Sequence, residues 1–118
     1  MDINKLTELL SAEVKNLGEN KKVETGYCGD FLSFAMSRAP SQSAWFTVMS
    51  NVNVAAVSLL ADVSVIVLCE NVIPDDALLN RCVSEGLSVI CTKYSAYEAA
   101  GMLFVAMKNE EKYCLPER

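Results

Sequence analysis

Polar residues that could bind a small anion lie at the ends of three apolar, strand-like runs in this chain. The runs span residues 44–49, 63–69 and 87–91, and a helix-like segment follows each of them. In a parallel sheet the carboxyl ends of such strands share one edge, where open α/β folds bind ligands. Helices that begin at this edge direct free N–H groups and positive dipole ends toward an anion such as phosphate. The candidate ligand-binding residues are Gly26, Asp30, Asn51, Asn53, Glu70, Asn71, Thr92 and Ser95.

A purely structural role is the alternative for each of these residues. Asp, Asn, Ser and Thr are preferred helix caps and turn residues, so every βα fold carries them at such positions. Lys93 is the only basic residue local to these turns. This composition favours a small anionic ligand over a highly charged nucleotide.

Cysteine chemistry is a second hypothesis. Cys28 would precede a helix start, where a thiolate is stabilised, and Cys69 and Cys91 end two of the predicted strands. Three thiols in one crevice could hold a metal or an iron–sulfur centre. Their separations are long and no CxxC pair occurs. We therefore favour the ordinary role of buried cysteine as a small hydrophobe, and expect no metal and no cofactor.

The chain lacks the catalytic groups of several enzyme classes. The chain has no histidine, which excludes Ser-His and Cys-His catalysis. The segment Gly26-Tyr27-Cys28-Gly29 is neither a Walker A loop nor a dinucleotide-binding GxGxxG sequence. No general acid/base pair of carboxylates stands out within the apolar segments. The sequence therefore predicts a protein that is not an enzyme.

The composition indicates which partners and which cellular compartment are expected for the protein. A net charge of −5 over 118 residues argues against nucleic acid as a partner, because phosphate binding uses clustered Lys and Arg. No apolar run approaches the ~18 residues needed to cross a bilayer, so no membrane contact is expected. Five cysteines scattered through apolar segments suit reduced thiols. We therefore expect a cytoplasmic protein.

The alternation of strand-like and helix-like segments predicts an α/β fold. The predicted fold is a single domain with a mainly parallel sheet of about four strands, βα repeats and an N-terminal helix. That amphipathic helix is predicted over residues 2–17, followed by Gly18 and a short strand at 22–25. Residues 26–29 are predicted as a tight turn, and Asp30 as the cap of a helix at 31–37. The later helices are predicted at 53–60, 74–85 and 95–107.

Two helices are more apolar than a surface helix requires. Residues 53–60 are apolar on nearly all sides, and residues 95–107 carry a broad apolar surface with Ala99, Ala100 and Gly101 in its middle. A peripheral helix normally needs only one apolar stripe. These helices either are buried within the monomer or meet a second copy of the chain, and we favour a homodimer. Trp45 and Phe46 are predicted to pack in the core or an interface.

Residues 23–108 resemble a DRTGG-type domain. The family includes the N-terminal domain of HPr kinase/phosphorylase and regulatory inserts of some pyrophosphatases and phosphate acetyltransferases. The resemblance rests on the segments 26–30, 45–56, 61–68, 74–76, 86–92 and 95–100. The signature itself is changed. Val52-Asn53 or nearby residues stand where the family has Asp-Arg, and Cys69-Glu70-Asn71 where it has Thr-Gly-Gly.

The resemblance implies a regulatory role through dimerisation and small-ligand sensing, without catalysis. It divides the chain into an N-terminal helix and connection (1–22), the DRTGG-like domain (23–108) and a C-terminal tail (109–118). The chain resembles small stand-alone DRTGG-like proteins, some of which are thought to accompany hydrogenase or redox gene sets in anaerobic bacteria. An accessory factor that binds a larger redox or metabolic enzyme is therefore the alternative function.

Overall fold

The three apolar runs of the sequence form the middle strands of a five-stranded sheet. The computed structural model describes residues 1–110. Strand order is β1-β5-β4-β3-β2, in which β2 to β5 run parallel and β1 pairs antiparallel with β5. The α/β fold with a mainly parallel sheet is confirmed, with five strands instead of about four. The elements are α1 (Ile3–Leu9), β1 (Glu13–Asn16), β2 (Thr25–Cys28), α2 (Leu32–Arg38), β3 (Ser43–Thr47), α3 (Asn53–Leu60), β4 (Val65–Leu68), α4 (Asp76–Glu85), β5 (Ser88–Cys91) and α5 (Ala96–Asn109).

Helices cover both faces of the sheet, which explains why every residue of β3 and β4 is buried. Side chains alternate along each strand. Phe46 therefore packs with α1 and α5 on one face, and Trp45 packs with α2, α3 and α4 on the other. Both side chains are fully buried, as predicted. No helix in residues 1–110 has the length and apolar character needed to span a bilayer.

The N-terminal segment differs from its prediction. The helix expected over residues 2–17 ends at Leu9, and residues 13–16 form strand β1, whose Glu13 lies opposite Cys91 of β5. Ser11, at φ 49°, breaks the helix. The apolar residues at helical spacing suggested one helix. The second half of this segment instead forms a strand, because it pairs with the otherwise unpaired edge of β5.

Gly18 has a tertiary role instead of ending a helix. A Cβ atom at Gly18 would lie 2.0 Å from the carbonyl oxygen of Gly86. The Gly18 N–H also donates to Ser88 Oγ at 3.0 Å. Only glycine allows the chain after β1 to pass so close to the turn between α4 and β5.

The turn predicted at residues 26–29 is wrong. Residues 25–28 form β2, which pairs in parallel register with β3, so that Gly26 lies opposite Ala44 and Cys28 opposite Phe46. A Cβ at Gly26 would lie 3.2 Å from the Phe46 ring. The absent side chain thus lets the sheet pack closely against its neighbours.

The later βα units follow the prediction closely, except that α4 begins at Asp76 and leaves Pro74 outside the helix. Helix α3 has the predicted bounds, and Gly86 ends α4 in the left-handed conformation at φ 70°. Ser95 and Glu98 form the expected capping box, and α5 continues to Asn109. Of the predicted tail, residues 111–118 lie outside the described part of the chain.

Candidate functional site at the carboxyl edge of the sheet

The carboxyl ends of β2 to β5 meet at one edge of the sheet, which we call the carboxyl edge; its loops span residues 29–31, 48–52, 69–75 and 92–95. Backbone hydrogen bonds join neighbouring loops. The Cys69 N–H donates to the Thr47 carbonyl at 2.9 Å, and the Glu70 N–H donates to the Tyr94 carbonyl at 2.9 Å. The edge is therefore a fixed framework in which each loop is held by the next.

Asp30 joins β2 to β3 instead of capping α2. Its Oδ1 accepts hydrogen bonds from Thr47 Oγ1 at 2.7 Å and from the Val48 N–H at 2.9 Å. The N-cap of α2 is Phe31, whose side chain makes no capping bond. The predicted cap is wrong because the neighbouring strand engages the carboxylate.

Asn51 and Asn53 lie at the start of α3. Asn51 Oδ1 accepts a hydrogen bond from the Asn53 N–H at 2.9 Å, and both side chains are exposed. Next to them Ser50 Oγ donates to Asp75 Oδ1 at 3.2 Å, which links this loop to the start of α4. The Asn51 oxygen therefore has a local structural role, while the Asn53 side chain faces solvent.

Glu70 and Asn71 take a backbone conformation that glycine favours. Their φ angles are 58° and 61°, in the left-handed region that costs about 1–2 kcal/mol for residues with a Cβ. These are the positions at which the resemblance places the two glycines of Thr-Gly-Gly. The loop thus takes a glycine-type conformation with two residues that carry a Cβ, and both side chains are exposed.

Thr92 is buried and joins three parts of the chain. Its Oγ1 donates to the Leu10 carbonyl at 2.9 Å, its carbonyl accepts from the Asn71 N–H at 3.0 Å, and its N–H donates to the Leu68 carbonyl at 2.9 Å. The hydroxyl proton is therefore used inside the protein. Thr92 positions the loops of the carboxyl edge.

The remaining candidates, Ser95 and Gly26, occupy different places. Ser95 Oγ accepts from the Glu98 N–H at 3.1 Å and caps α5. Gly26 lies within β2 and faces a groove beside α5, away from the carboxyl edge. The carboxyl edge thus brings together seven of the eight candidates. Four of them make structural side-chain hydrogen bonds, namely Asp30, Asn51, Thr92 and Ser95. The side chains of Asn53, Glu70 and Asn71 are exposed.

A polar pocket opens at the end of the carboxyl edge, where β5 meets β1. Its volume is about 430 Å³, and we call it the lysine pocket because Lys15 and Lys93 line it. Lys15 Nζ pairs with Glu13 Oε1 at 3.0 Å, whereas Lys93 Nζ lies 5.6 Å from the centroid of the Tyr94 ring. The other lining residues are Ser11, Glu13, Asn71, Val72, Ile73 and Cys91. Among the eight candidates, Asn71 belongs to this pocket.

Sequence reasoning missed the part of the pocket that comes from the N-terminal segment. Ser11, Glu13 and Lys15 were placed on a long helix, far from any strand end. Val14 lies between two charged residues, an alternation typical of a strand with one buried face, but its side chain is 41% exposed in the structure, so the alternation was no reliable signal. A four-residue segment of this kind is too short to separate a strand from a helix turn by pattern alone.

The cysteines do not form a common centre. Cys69 packs on the face covered by α1 and α5, while Cys91 packs on the opposite face. Burial raises the pKa of Cys69 to about 12, and burial together with the Asp30 carboxylate raises the pKa of Cys28. Residues 1–110 contain no cluster of three side chains that could hold a metal ion. The raised pKa of Cys28 argues against the alternative of a stabilised thiolate, and the separation of Cys69 from Cys91 argues against a centre shared by the three cysteines.

The outer face of α5 exposes apolar side chains. Tyr97 is 89% exposed, and Phe104 and Val105 follow it at helical spacing on the same face. Apolar grooves of about 570 Å³ and 730 Å³ flank the helix, and Tyr97 and Gly101 line both of them. This outer face is defined by Tyr97, Gly101, Phe104 and Val105.

No known protein family matches the sequence of the chain. No curated protein matches it either. A solved structure does match: the CBS and DRTGG domains of the regulatory region of Clostridium perfringens pyrophosphatase, complexed with its activator, diadenosine tetraphosphate. It is 14% identical, with a TM-score of 0.68 over 86% of this chain.

This likeness defines the class of fold. The chain has a CBS/DRTGG-like α/β fold, as the resemblance implied. It spans 45% of the length of the pyrophosphatase chain. Binding of diadenosine tetraphosphate is a property of the pyrophosphatase region.

Proposed function

We propose that this chain is a non-catalytic regulatory module that forms a homodimer through α5 and binds a small ligand at the carboxyl edge. The observation that carries the proposal is the pairing of two features on one rigid fold. The lysine pocket is a concave polar site, and the outer face of α5 is an exposed apolar surface. The likeness to a regulatory region that is complexed with an activator supports this role.

The use of polar groups at the carboxyl edge supports a non-catalytic role. Asp30, Asn51 and Ser95 accept backbone hydrogen bonds, and the Thr92 hydroxyl donates one. The sequence has no histidine that could transfer protons near neutral pH. The arrangement is suited to holding a ligand and a fixed conformation.

A second copy is the occupant that best fits the outer face of α5. The helix is uncharged from Ala99 to Met107, and Glu98 and Lys108 carry opposite charges at its two ends. Antiparallel packing of two α5 helices about an axis near Leu103 places Glu98 of each copy opposite Lys108 of its partner. Two chains with a net charge of −5 repel each other, so an uncharged face is where they can approach.

Gly101→Glu tests the dimer. An added Cβ at Gly101 meets nothing within 4 Å in the monomer, so the variant keeps its fold while placing a charge in the centre of the outer face. We expect the native protein to be a dimer by light scattering at tens of micromolar and Gly101→Glu to be a monomer with unchanged circular dichroism. Val83→Glu, at an exposed position of α4, is the matched control and stays dimeric. A native monomer contradicts the proposal.

Thermal shift against nucleotides and phosphorylated metabolites tests ligand binding. A ligand that binds only the folded state raises the midpoint of thermal unfolding. We expect at least one compound of the panel to do so at millimolar concentration. If no compound raises the midpoint, the sensing role is wrong. Dimer formation is tested separately, by light scattering.

The alternative function, an accessory factor for a larger enzyme, is favoured by a different surface. Phe31 and Phe34 of the α2 region are 64% and 51% exposed, with ring centroids 5.2 Å apart. Helix α2 lies on the face of the sheet opposite α5, so a dimer through α5 leaves this pair uncovered. A redox or metabolic enzyme purified with the native protein from its own cells, but not with Phe34→Ser, would support this alternative. Retention of the enzyme by Phe34→Ser would contradict it.

A further inference from the structure

The lysine pocket is positively charged in a negatively charged protein. The chain has a net charge of −5, yet this pocket is lined by two lysines against one glutamate. The pocket also lies where open α/β folds bind ligands, at the carboxyl ends of parallel strands. Its volume of about 430 Å³ is within the usual range for small-molecule sites.

Lys93 is available to a ligand. Its ammonium lies over the Tyr94 ring, and within residues 1–110 no carboxylate forms an ion pair with it. Three cations elsewhere in the described chain do have a carboxylate partner, in the pairs Lys5–Glu110, Lys21–Asp62 and Arg81–Glu85. In the pocket, Lys15 pairs with the exposed carboxylate of Glu13. Since solvent weakens an ion pair whose carboxylate side chain is 72% exposed, an anion can compete for Lys15.

The walls of the pocket are held in place before any ligand binds. Ser11 and Asn71, which line it, both have positive φ angles, 49° and 61°. The Asn71 N–H donates to the Thr92 carbonyl, and the Thr92 hydroxyl donates to the Leu10 carbonyl next to Ser11. One buried residue thus fixes both walls, and preorganised donors lose little entropy on binding.

We propose that the lysine pocket binds a small phosphate monoester of about the size of a sugar phosphate. Lys93 and Lys15 neutralise the phosphate, and the Asn71 amide and Ser11 hydroxyl donate hydrogen bonds to it. Glu13 accepts hydrogen bonds from the hydroxyl groups of the sugar, and exposed Ile73 covers its less polar side. This inference rests on the proposed ligand-sensing function and names the class of ligand.

Nuclear magnetic resonance titration of the native protein tests the proposal, with glucose 6-phosphate, inorganic phosphate and glucose as probes at constant ionic strength. We expect saturable shifts of the Ser11, Asn71 and Lys93 amides with both phosphate compounds. Glucose alone has no effect, and glucose 6-phosphate binds more tightly than inorganic phosphate. Lys93→Gln weakens the binding about tenfold or more, because a charge-assisted hydrogen bond is lost. Lys22→Gln, at an exposed position outside the pocket, leaves it unchanged.

Three outcomes would overturn the inference: shifts that do not saturate, equal shifts at lysines all over the surface, or unchanged affinity in Lys93→Gln. A compound from the thermal-shift panel that moves the Asn51 and Asn53 amides but leaves Ser11 and Lys93 unchanged would also reject this pocket. In that case the proposed sensing function survives at another part of the carboxyl edge. If no probe and no compound of the panel binds, both the phosphate-binding pocket and the proposed sensing function are wrong.

Discussion

The buried hydroxyl of Thr92 donates a hydrogen bond of 2.9 Å to the carbonyl oxygen of Leu10, which precedes it by 82 positions. This bond joins the end of α1 to the loop after β5. The next residues along the chain, Ser11 and Lys93, line the lysine pocket. A residue that the sequence suggests as a ligand contact therefore acts by holding together the two segments that form the pocket.

Replacing Thr92 with valine tests this positioning role. Valine keeps the shape but leaves the buried Leu10 carbonyl without its donor, which costs about 1–3 kcal/mol. We expect the free energy of unfolding, measured by urea denaturation, to fall by this amount. Thr92→Ser keeps the hydroxyl and serves as the control. Equal stability of Thr92→Val and the native protein would show that the bond contributes nothing.

Two glycines should respond in opposite directions to the same substitution. Gly18→Ala places a Cβ 2.0 Å from the Gly86 carbonyl oxygen, so the chain must move and the protein is strongly destabilised. Gly101→Ala meets nothing within 4 Å in its own chain, so the monomer, studied without its partner at low protein concentration, gains about 1 kcal/mol from helix propensity. Thermal unfolding midpoints measure both effects. A stable Gly18→Ala variant would contradict the close approach of β1 to the α4–β5 turn.

Glu70→Gly should stabilise the fold. Glu70 has a φ of 58°, and glycine takes this conformation without the steric cost, although it adds entropy to the unfolded chain. We expect a net gain of about 0.5–1 kcal/mol in the free energy of unfolding. Glu70→Ala keeps the Cβ and should give no such gain, which separates the backbone effect from loss of the carboxylate. Equal stabilities of the glycine and alanine variants would refute the strain argument.

Buried thiols should make the protein less stable at alkaline pH. Burial raises the pKa of Cys69 to about 12 and of Cys82 to about 11, from 9.0. Above pH 9 the unfolded chain releases these protons while the folded protein retains them. The stabilisation is therefore complete below pH 9 and is lost as the pH rises toward 12, by at most about 1.4 kcal/mol per pH unit for each thiol.

Urea midpoints measured from neutral pH to about pH 11 test this dependence. The comparison is between the slopes of stability against pH in the native protein and in the Cys82→Ala variant. Cys82→Ala removes one buried thiol and should flatten the fall in stability above pH 9, even if the variant is less stable throughout. The same slope in both proteins would show that Cys82 is not protected from ionisation.

Elements with strong local signals were predictable. The Ser95 and Glu98 spacing identified the capping box of α5, and Gly86 identified the end of α4, because both depend on residues a few positions apart. The continuous apolar runs predicted buried parallel strands for the same reason. The single-helix prediction failed at residues 13–16, where apolar spacing fitted two structures and pairing with β5 decided between them.

The candidate site was predictable in its location but less so in its members. Strand ends in a parallel sheet must share one edge, so Glu70, Asn71 and Thr92 were correctly expected to lie there. The roles of these residues depend on hydrogen bonds across the sheet, which no local pattern contains. Gly26 was assigned to the edge because a glycine-bracketed segment usually turns, whereas β3 holds it in a strand.

The sequence by itself determined the αβ alternation, the caps, the buried strands and the edge at which their polar ends meet, since these follow from periodicity and short-range spacing. Tertiary structure alone decided that β1 joins the sheet, that Ser11 and Lys15 meet Asn71 and Lys93, and that Cys91 is separated from Cys69. The physical reason is that these relationships depend on contacts between distant segments. The pairing of β1 with the edge of β5 and the hydrogen bond of the buried Thr92 hydroxyl form only when the whole chain is packed.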